Sequence, residues 1–322
     1  MADKIRWGIL GPGAIARSFA TGLKSVADAE LAAVGSRSKD RADAFGNEFQ
    51  VPHRHASYED LAADRSVDVI YVATPHPYHL PCATLCLEAG KPVLCEKPLT
   101  VNAGGARQLA AAARDKKLFL MEGMWTRFYP AMYKLRELLA SQAIGEVRML
   151  HVDLGFRAGF NPTSRLFDPA LAGGSLLDVG VYCTAFCSMI MGEPKELTGL
   201  ADIGATGVDE QAAWVFKYDG GRLALCSSAV RTNTLHEAAV FGTDGVIRLP
   251  KLWWQPHKLI VKDQEVGCSF EGNAFQFEAR AVGDCLRAGK LESEVMPLDE
   301  SVAIARTMDR LRELWGVRYP ME

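Results

Sequence analysis

A lysine that follows an apolar strand is the first candidate for chemistry in this chain. Lys97 lies in the segment 95–100, directly after the apolar pair Val93 and Leu94 and before Pro98. This pattern predicts a tight turn at the carboxyl end of a buried strand, the edge at which α/β sheets hold their ligands. A surface lysine is the alternative, but a tight turn differs from the solvated helix face where such lysines are common.

A glycine-rich segment near the start of the chain predicts a binding site for a dinucleotide. Residues 8–16 read Gly-Ile-Leu-Gly-Pro-Gly-Ala-Ile-Ala, and they join a short apolar strand to a segment with helical spacing. Gly11 allows a tight turn, Gly13 allows backbone amides to approach a pyrophosphate, and Ala16 keeps the helix close to the strand. An ordinary strand-to-helix turn is the alternative. The residues predicted to hold the pyrophosphate are Gly11, Gly13, Ala14 and Ile15.

The end of the second predicted strand indicates which dinucleotide binds. Sites for NAD usually place Asp or Glu there, to accept hydrogen bonds from the adenine-ribose 2′-hydroxyl. Here the strand runs into Ser36, Arg37 and Ser38, with Arg41 one turn later. Guanidinium groups bind phosphate through charge-assisted, often bidentate, hydrogen bonds, so the sequence predicts NADP as the cofactor. The alternative is that both arginines are solvated surface charges, since two aspartates lie nearby.

The order of the secondary-structure elements predicts a doubly wound parallel sheet, the Rossmann arrangement, in residues 1–123. Strands are predicted at 4–10, 30–36, 68–73, 93–96 and 118–122, and helices at 17–26, 41–49, 80–88 and 103–115. This alternation is typical of βαβ units, which bind ligands beyond the carboxyl ends of their strands.

Residues 124–322 are predicted to form an α+β domain with a large open sheet of mixed or antiparallel strands. A helix at 130–141 precedes strands at 146–156, 195–203, 211–218, 222–230, 237–242 and 258–262. Turn signals separate several of them, including Asp219-Gly220-Gly221. Near the end, Ile304, Met308, Leu311 and Trp315 share one face of an amphipathic helix, which indicates a core position.

Composition excludes several classes of partner. The 322 residues carry a formal net charge of -3, and no basic block is interleaved with aromatic residues, so nucleic acid is not expected as a partner. No membrane association is expected either, because the most apolar window contains Asp178. The eight cysteines lie mostly in apolar runs, which is typical of reduced core thiols. We expect a cytoplasmic protein with a small-molecule substrate.

Four separated motifs resemble the glucose-fructose oxidoreductase / inositol dehydrogenase (Gfo/Idh/MocA) family. They are residues 11–16, Ala73-Thr74-Pro75, Glu96-Lys97-Pro98, and Asp178-Val179-Gly180-Val181-Tyr182. Many members have histidine at the last position. Tyrosine there, and the Gly173-Gly174-Ser175 segment, resemble the branch of dimeric dihydrodiol dehydrogenases and NADP-dependent D-xylose dehydrogenases. The resemblance implies a Rossmann domain followed by an open mixed sheet that packs against its copy, giving a homodimer or homotetramer.

The resemblance also implies catalytic roles. Tyr182 would exchange a proton with a substrate oxygen while a hydride moves to or from the nicotinamide. A free phenol has a pKa of about 10, and a nearby ammonium group favours the ionised form. Lys97 is the candidate for that group, and Asp178 would orient the sugar or the lysine. Asp178 and Tyr182 are four residues apart, a spacing that places them on one face of an α-helix.

Further residues are assigned to the site by the same resemblance. Thr74, Pro75, His76 and His79 follow the third predicted strand and are expected to pack beside the cofactor; a metal site formed by the two histidines with Cys82 is disfavoured by the prolines among them, and no metal is expected. The cofactor-binding set also contains Glu96, Lys97, Trp125 and Arg127. The substrate-binding set is Lys97, Trp125, Phe156, Arg157, Asp178, Tyr182 and Trp254. One residue of the Trp253-Trp254 pair is expected to face a ligand and the other to pack inward, as alternate residues of a strand do.

The sequence thus predicts an NADP-dependent oxidoreductase that acts on a hydroxyl of a cyclic polyol. The substrate is expected to be an aldose, such as xylose or glucose, or a trans-dihydrodiol. One alternative is an enzyme like glucose-fructose oxidoreductase that retains its NADP, or a reductase of keto- or anhydro-sugars. Another is a binding protein that senses a sugar or dinucleotide, since a fold alone does not establish catalysis.

Overall fold

The computed structural model describes residues 4–322, in which strands and helices alternate along the first 123 positions. The elements there are β1 (Ile5–Leu10), α1 (Ala14–Leu23), β2 (Ala29–Gly35), α2 (Lys39–Phe49), β3 (His53–His55), α3 (Tyr58–Ala63), β4 (Val69–Val72), α4 (His79–Glu88), β5 (Val93–Glu96), α5 (Ala103–Lys116) and β6 (Leu120–Gly123). All six strands are parallel, in the order β3-β2-β1-β4-β5-β6. The predicted Rossmann sheet is therefore confirmed; β3 and α3 were not predicted.

A second, larger sheet is built from the later strands. The remaining elements are α6 (Pro130–Ala140), β7 (Val147–Gly155), α7 (Val181–Met191), β8 (Glu196–Ile203), β9 (Asp209–Lys217), β10 (Leu223–Ala229), β11 (Ala238–Gly242), β12 (Gly245–Leu249), β13 (Lys258–Val261), β14 (Gln264–Gly267), α8 (Phe275–Arg287) and α9 (Leu298–Trp315). The strand order is β14-β13-β12-β11-β7-β10-β9-β8. Only the β7–β10 pair is parallel among the described strand pairs of this sheet, so the predicted mixed sheet is confirmed.

The chain divides into two compact units whose boundaries differ from the predicted domains. The first unit contains residues 1–100, 104–125 and 271–302, and the second contains residues 101–103, 126–270 and 303–322. The sequence analysis assigned all of 124–322 to one domain, whereas α8 belongs to the Rossmann unit. Helix α8 packs on α1 so closely that a Cβ at Gly22 would lie 2.5 Å from Asn273 Oδ1. The Asn273 amide also donates to the Ser18 carbonyl oxygen at 2.7 Å.

Large aromatic residues form the core on the α1 side of the parallel sheet. Trp7 and Tyr71 are fully buried on β1 and β4, and Phe19 of α1 stacks on Tyr71 with ring centroids 3.9 Å apart. Phe275 of α8 meets the same Phe19 edge-on. Burying each such side chain contributes about 1.5–3 kcal/mol, which anchors α1 and α8 to the sheet.

In the second unit, one face of the sheet is covered and the other is open. Trp214, Phe216 and Ala224 point to the covered face and are buried, while alternate residues such as Leu225 remain exposed. The stretch Pro169–Met191 is long and apolar enough to cross a membrane, but 83% of its most apolar window is buried inside the protein. The predicted core face of α9 is confirmed for Ile304, Met308 and Leu311.

Candidate active site

The glycine-rich turn has the geometry that the bound pyrophosphate of a dinucleotide requires. Gly11 has a φ of +92°, and a Cβ there would lie 3.2 Å from both the Ala73 carbonyl oxygen and Thr74 Cγ2. Gly13 precedes the first residue of α1, and a Cβ there would meet no protein atom within 4 Å. The first turn of α1 contains no acidic residue, so Ala14 and Ile15 begin a helix whose amino end is suited to an anion.

The loop after β2 offers hydroxyl and guanidinium groups and no carboxylate at the end of the strand. Ser36 is buried there; its N–H donates to the His55 carbonyl oxygen at 3.1 Å, and its Oγ accepts from Ser38 N at 3.2 Å. Arg37 and Arg41 are exposed, and the Arg37 guanidinium lies 5.3 Å from the Tyr78 ring centroid. The group that fits this loop is a phosphate on the adenine ribose, so the residues present suit NADP.

His79 joins the two loops that follow β4 and β5. Its ring is fully buried, with Nδ1 2.8 Å from the Pro98 carbonyl oxygen and Nε2 2.8 Å from the Thr74 carbonyl oxygen. Because both ring nitrogens face backbone oxygens, His79 has none left for a metal. Burial lowers the pKa of His79, so the ring is neutral and donates to one carbonyl oxygen at a time. These contacts hold the two loops together, and the packing of His79 beside the cofactor stays a prediction.

Pro75 and His76 lie on the surface side of the loop that joins β4 to His79. Pro75 is exposed and precedes a single 3-10 turn at His76–Tyr78, and His76 is half-buried. The His76 ring lies 5.8 Å from the ring of His79. The packing of both residues beside the cofactor stays a prediction.

Lys97 directly follows the carboxyl end of β5, next in the chain to the buried carboxyl group of Glu96. Glu96 is the last residue of β5; its side chain accepts from the Tyr71 hydroxyl and, at 3.2 Å, from the Lys97 backbone N–H. Burial raises the pKa of Glu96, and the Lys97 charge opposes that shift. Lys97 is half-buried. These contacts support the turn that carries Lys97, and the contact of Glu96 with the cofactor stays a prediction.

Two further carboxyl groups lie inside the same unit, and the sequence analysis missed both. Glu122 on β6 accepts the Leu99 N–H at 2.9 Å, just beyond the Lys97 turn. Glu278 on α8 is fully buried, and neither of its oxygens has a hydrogen-bond partner. Burial, together with the charge of Glu96, raises the pKa of Glu278 well above its ordinary value, so this group is neutral. Its position on the apolar face of α8, between Phe275 and Val282, was the available signal.

Trp125 and Arg127 are neighbours in sequence but have different surroundings. Trp125 is nearly buried and stacks on Phe275 of α8, with ring centroids 5.1 Å apart. Arg127 was expected to bind the cofactor. It is only 3% exposed, and its guanidinium donates to the Ala185 carbonyl oxygen of α7 at 2.7 Å. This contact anchors α7, and the role of Arg127 in cofactor binding stays a prediction.

The Asp178 motif forms a π-helical turn at Leu176–Gly180, directly before α7. The Val181 N–H donates to the Leu176 carbonyl oxygen, five residues earlier, so the α-helical spacing assumed for Asp178 and Tyr182 does not hold there. Asp178 is buried. Its carboxylate pairs with Arg165, whose Nη1 lies 2.6 Å away. Tyr182 is 8% exposed in the first turn of α7. Single π-turns of this kind are frequent at functional sites.

Asp209 holds the start of this turn, and sequence analysis missed it as well. Its buried carboxylate accepts from Ser175 Oγ at 2.8 Å and from Leu176 N at 2.7 Å. Gly174 has a φ of +115°, and a Cβ there would lie 2.3 Å from the same carboxylate. Burial raises the pKa of Asp209 to about 6. From the other side, the Tyr319 hydroxyl donates to the Gly173 carbonyl oxygen at 2.6 Å.

The remaining predicted substrate residues lie at one end of β7 and in a turn after β12. Phe156 is half-buried and Arg157 is exposed; the Arg157 N–H donates to Asn233 Oδ1 at 3.0 Å. Trp253 is buried and Trp254 is half-buried, with its ring 4.8 Å from His236. Both tryptophans lie in turns outside any strand, so the strand alternation expected for them was wrong, although one does pack inward.

The predicted site residues therefore fall into two groups, one in each unit. Lys97 belongs to the first unit with the glycine turn, the β2 loop and Trp125, while Asp178 and Tyr182 belong to the second. The joint action of Lys97 and Tyr182 stays a prediction.

Comparison with known proteins agrees with the observed fold and identifies the family models and solved structures that the chain resembles. Residues 5–124 match the model of the oxidoreductase family with an NAD-binding Rossmann fold (GFO_IDH_MocA), and residues 132–248 match the GFO/IDH/MocA C-terminal domain. Among solved structures, an aldose-aldose oxidoreductase from Caulobacter crescentus is similar with a TM-score of 0.87, 22% identity and 97% coverage of both chains. A 3-ketoreductase from Actinomadura kijaniata, solved with NADP and TDP-benzene, has a TM-score of 0.86 at 24% identity and covers 97% of this chain and 98% of its own.

The fold and the glycine-turn site define an oxidoreductase with a dinucleotide-binding Rossmann unit. More particularly, this chain belongs to the Gfo/Idh/MocA family, and the expected family is confirmed. Among curated proteins it is similar to trans-1,2-dihydrobenzene-1,2-diol dehydrogenase from Mus musculus, with 40% identity over 332 aligned positions, and from Homo sapiens, with 37%. Each alignment covers 99% of both chains.

Proposed function

We propose that this protein is an NADP-dependent dehydrogenase that oxidises a secondary hydroxyl of a cyclic trans-diol. The similarity to trans-1,2-dihydrobenzene-1,2-diol dehydrogenases along the full length of the chain supports this substrate class. The observation that carries the proposal is the position of Lys97, which directly follows β5 at the ligand edge of a Rossmann sheet, where its backbone N–H donates to the buried Glu96.

The preference for NADP is supported by the loop after β2. Ser36, Arg37 and Arg41 would hold the 2′-phosphate. The end of β2 carries no carboxylate, so no negative charge there would repel the phosphate. The pyrophosphate would lie at the amino end of α1, where Gly13 leaves open space. Trp125, fixed by stacking on Phe275, would form a rigid wall for the nicotinamide or the substrate ring.

The chemistry requires a hydride acceptor, a base and a group that stabilises negative charge. Bound NADP supplies the hydride acceptor, the C4 atom of its nicotinamide. Tyr182 would take the proton from the substrate hydroxyl while the hydride leaves the same carbon for the nicotinamide and the C=O bond forms. Lys97 would stabilise the negative charge on the oxygens of the tyrosine and the substrate. Asp178, paired with Arg165, would orient the second hydroxyl or hold Arg165 toward the substrate.

Aldoses such as D-xylose or D-glucose form the second candidate class of substrate, because the same groups would bind a ring carrying vicinal hydroxyls. Initial rates with NADP on a trans-dihydrodiol, D-xylose and D-glucose distinguish the two classes. We expect the largest kcat/KM with the trans-dihydrodiol, and a larger value with a sugar would overturn the proposed substrate class.

The catalytic assignment is tested by Tyr182→Phe and Lys97→Met. Each variant is expected to lose about 10²- to 10⁴-fold in kcat, because groups that exchange or stabilise a proton typically contribute that much. NADP affinity, measured by fluorescence quenching, should change little in Tyr182→Phe. Tyr133→Phe removes a hydroxyl from an exposed tyrosine of α6 and is the matched control. Turnover of Tyr182→Phe within a few-fold of the wild type would contradict the proposal.

We further propose that two copies of this chain associate through the open face of the eight-stranded sheet. That face carries exposed or half-buried apolar residues, including Leu225, Phe241 and Met149, around a concave surface that also contains Leu235. A sheet face of this composition is typical of a protein–protein interface.

A further inference from the structure

Two histidines and one aspartate converge at the outer edge of the parallel sheet, in the first unit. His53 and His55 are the first and last residues of β3, so their side chains project from the same face of that strand. Asp64 directly follows α3. The three ligand atoms, one from each side chain, all lie within 4.8 Å of one another.

We propose that His53, His55 and Asp64 bind a zinc-like divalent transition-metal ion. Two imidazole nitrogens and one carboxylate oxygen form a set that suits Zn²⁺ and disfavours Mg²⁺ or Ca²⁺, which take oxygen ligands. A site with three protein ligands keeps one position for water.

Two of the three ligand-atom separations are close to those of tetrahedral zinc, and all three are within 4.8 Å. Tetrahedral zinc with bonds near 2.1 Å separates its ligand atoms by roughly 3.4 Å. His53 Nδ1 lies 3.4 Å from Asp64 Oδ2, which matches that separation. His55 Nε2 lies 2.8 Å from the same oxygen, a hydrogen-bond distance. The metal would replace this hydrogen bond, and the two atoms would move apart by roughly 0.6 Å.

The carboxylate is already oriented for such a role by its own hydrogen bonds. Ser66 donates to Asp64 Oδ1 from its backbone N at 2.8 Å and from its Oγ at 2.6 Å. Oδ2 is thereby turned toward the two imidazoles. Burial tends to raise the pKa of Asp64, but hydrogen bonds from Ser66 and His55 lower it to about 2, so the group is ionised at neutral pH. Outer hydrogen bonds of this kind orient metal ligands in known sites.

Nearby cations are already neutralised or directed elsewhere. The Lys91 ammonium donates to the carbonyl oxygens of Asp64 and Val67, at 2.6 and 2.7 Å. Arg6 pairs with Asp68 at 2.6 Å. The side-chain exposures of 48% for His53, 22% for His55 and 8% for Asp64 leave one side of the site open to solvent and to an entering ion.

A bound ion would fasten the sheet edge. Strand β3 is only three residues long and pairs with a single neighbour, β2, among the described strands. A metal that links β3 to the loop after α3 would hold this edge from a second side. We therefore expect the ion to have a structural effect, measurable as thermal stability.

The test uses full-length protein without a histidine tag, stripped with a chelator and titrated with Zn²⁺ against a chromophoric chelator. We expect one site per chain that is lost or weakened by at least about tenfold in His53→Gln/His55→Gln, and weakened by about 10- to 100-fold in Ser66→Ala. His257→Gln, which removes an exposed imidazole elsewhere, is the matched control. Zinc should raise the Tm of the wild type and of the control, but not that of the double variant.

Zinc K-edge absorption spectroscopy identifies the ligands directly. Two imidazoles with oxygen ligands support the site, whereas sulfur ligands would assign the zinc to the protein's cysteines and overturn the proposal. Equal zinc affinity in the double variant and the wild type would also overturn it. Circular dichroism of the stripped variants checks that they are folded, and Ser66→Ala keeps the test decisive if the double variant does not fold.

Discussion

At the scale of single residues, the loop after β2 determines the expected choice between NADP and NAD. Ser38 caps α2 by accepting the Arg41 N–H at 3.4 Å, which places Arg41 in the first helical turn. Arg37 is the nearer of the two arginines to the end of β2 and lies over the Tyr78 ring. A guanidinium fixed against an aromatic ring is a rigid partner for a phosphate.

Arg37→Ala should therefore weaken NADP binding more than NAD binding. Hydrogen bonds to charged groups are worth about 1.5–3 kcal/mol, so we expect KM for NADP to rise by about 10- to 100-fold. KM for NAD should change by less than about threefold, because NAD lacks the 2′-phosphate. Initial-rate kinetics with both cofactors measure this difference, and Arg107→Ala, an exposed arginine on α5, is the control. Equal losses with both cofactors would remove the basis for the preference.

Residues with local sequence signals could be assigned from the sequence, and those with long-range partners could not. The glycine turn and Lys97 are marked by their immediate neighbours, since a strand and a turn suffice to define them. Asp209 contacts Ser175, 34 residues away, and Glu278 acts on Glu96 from a helix late in the chain. Arg127 also has a distant partner that the sequence does not indicate, because its guanidinium donates to the Ala185 carbonyl oxygen.

At the scale of elements, β3, α8 and the π-turn were not predicted, because the local sequence does not determine them. Strand β3 has only three residues, of which two are histidines, so no apolar alternation marks it. Helix α8 was missed, and its return to the Rossmann unit is set by tertiary contacts with α1. The π-turn at Leu176–Gly180 has no distinct composition; it depends on anchors from β9 and from Tyr319 on either side.

Asp209 of β9 is a positioning residue for that turn, and its replacement should affect turnover and stability differently. Asp209→Ala would leave Leu176 N without its buried acceptor, at a cost of about 1–3 kcal/mol, while Ser175 Oγ would keep only its hydrogen bond with Ser228 Oγ. We expect kcat to fall by about tenfold or more, while Asp209→Asn, which keeps an acceptor oxygen, retains most activity. Steady-state kinetics and urea unfolding measure the two effects.

The same residue gives a prediction about pH. Its folded pKa of about 6 lies above the ordinary 3.8, so the folded protein binds this proton more tightly than the unfolded chain does. The stability from Asp209 is present below pH 4 and is lost as pH rises through 6, a change of about 3 kcal/mol. Asp209→Asn does not titrate, so its unfolding free energy relative to the wild type should improve between pH 4 and pH 7.5. Asp202→Asn, exposed on β8, is the control, and a difference independent of pH would contradict the prediction.

At the scale of the whole molecule, the open face of the eight-stranded sheet is the surface that we propose for association with a second copy. Leu225 is 38% exposed on β10 and lies beside Val215 of β9 and His151 of β7. Phe241 of β11 pairs with Met149 of β7 and extends the same apolar surface. Interfaces of stable dimers bury about 800 Å² per partner around such a central apolar cluster.

Leu225→Asp should dissociate the dimer without unfolding the chain. In the proposed dimer a carboxylate at position 225 would be buried in an apolar interface, and an unpaired buried charge is strongly unfavourable. Light scattering coupled to size-exclusion chromatography should give a dimer or tetramer for the wild type and a monomer for the variant. Leu314→Asp replaces a leucine that is 51% exposed on α9 and should keep the wild-type mass. A monomeric wild type, or an unchanged mass for Leu225→Asp with native circular dichroism, would show that this face is not the interface.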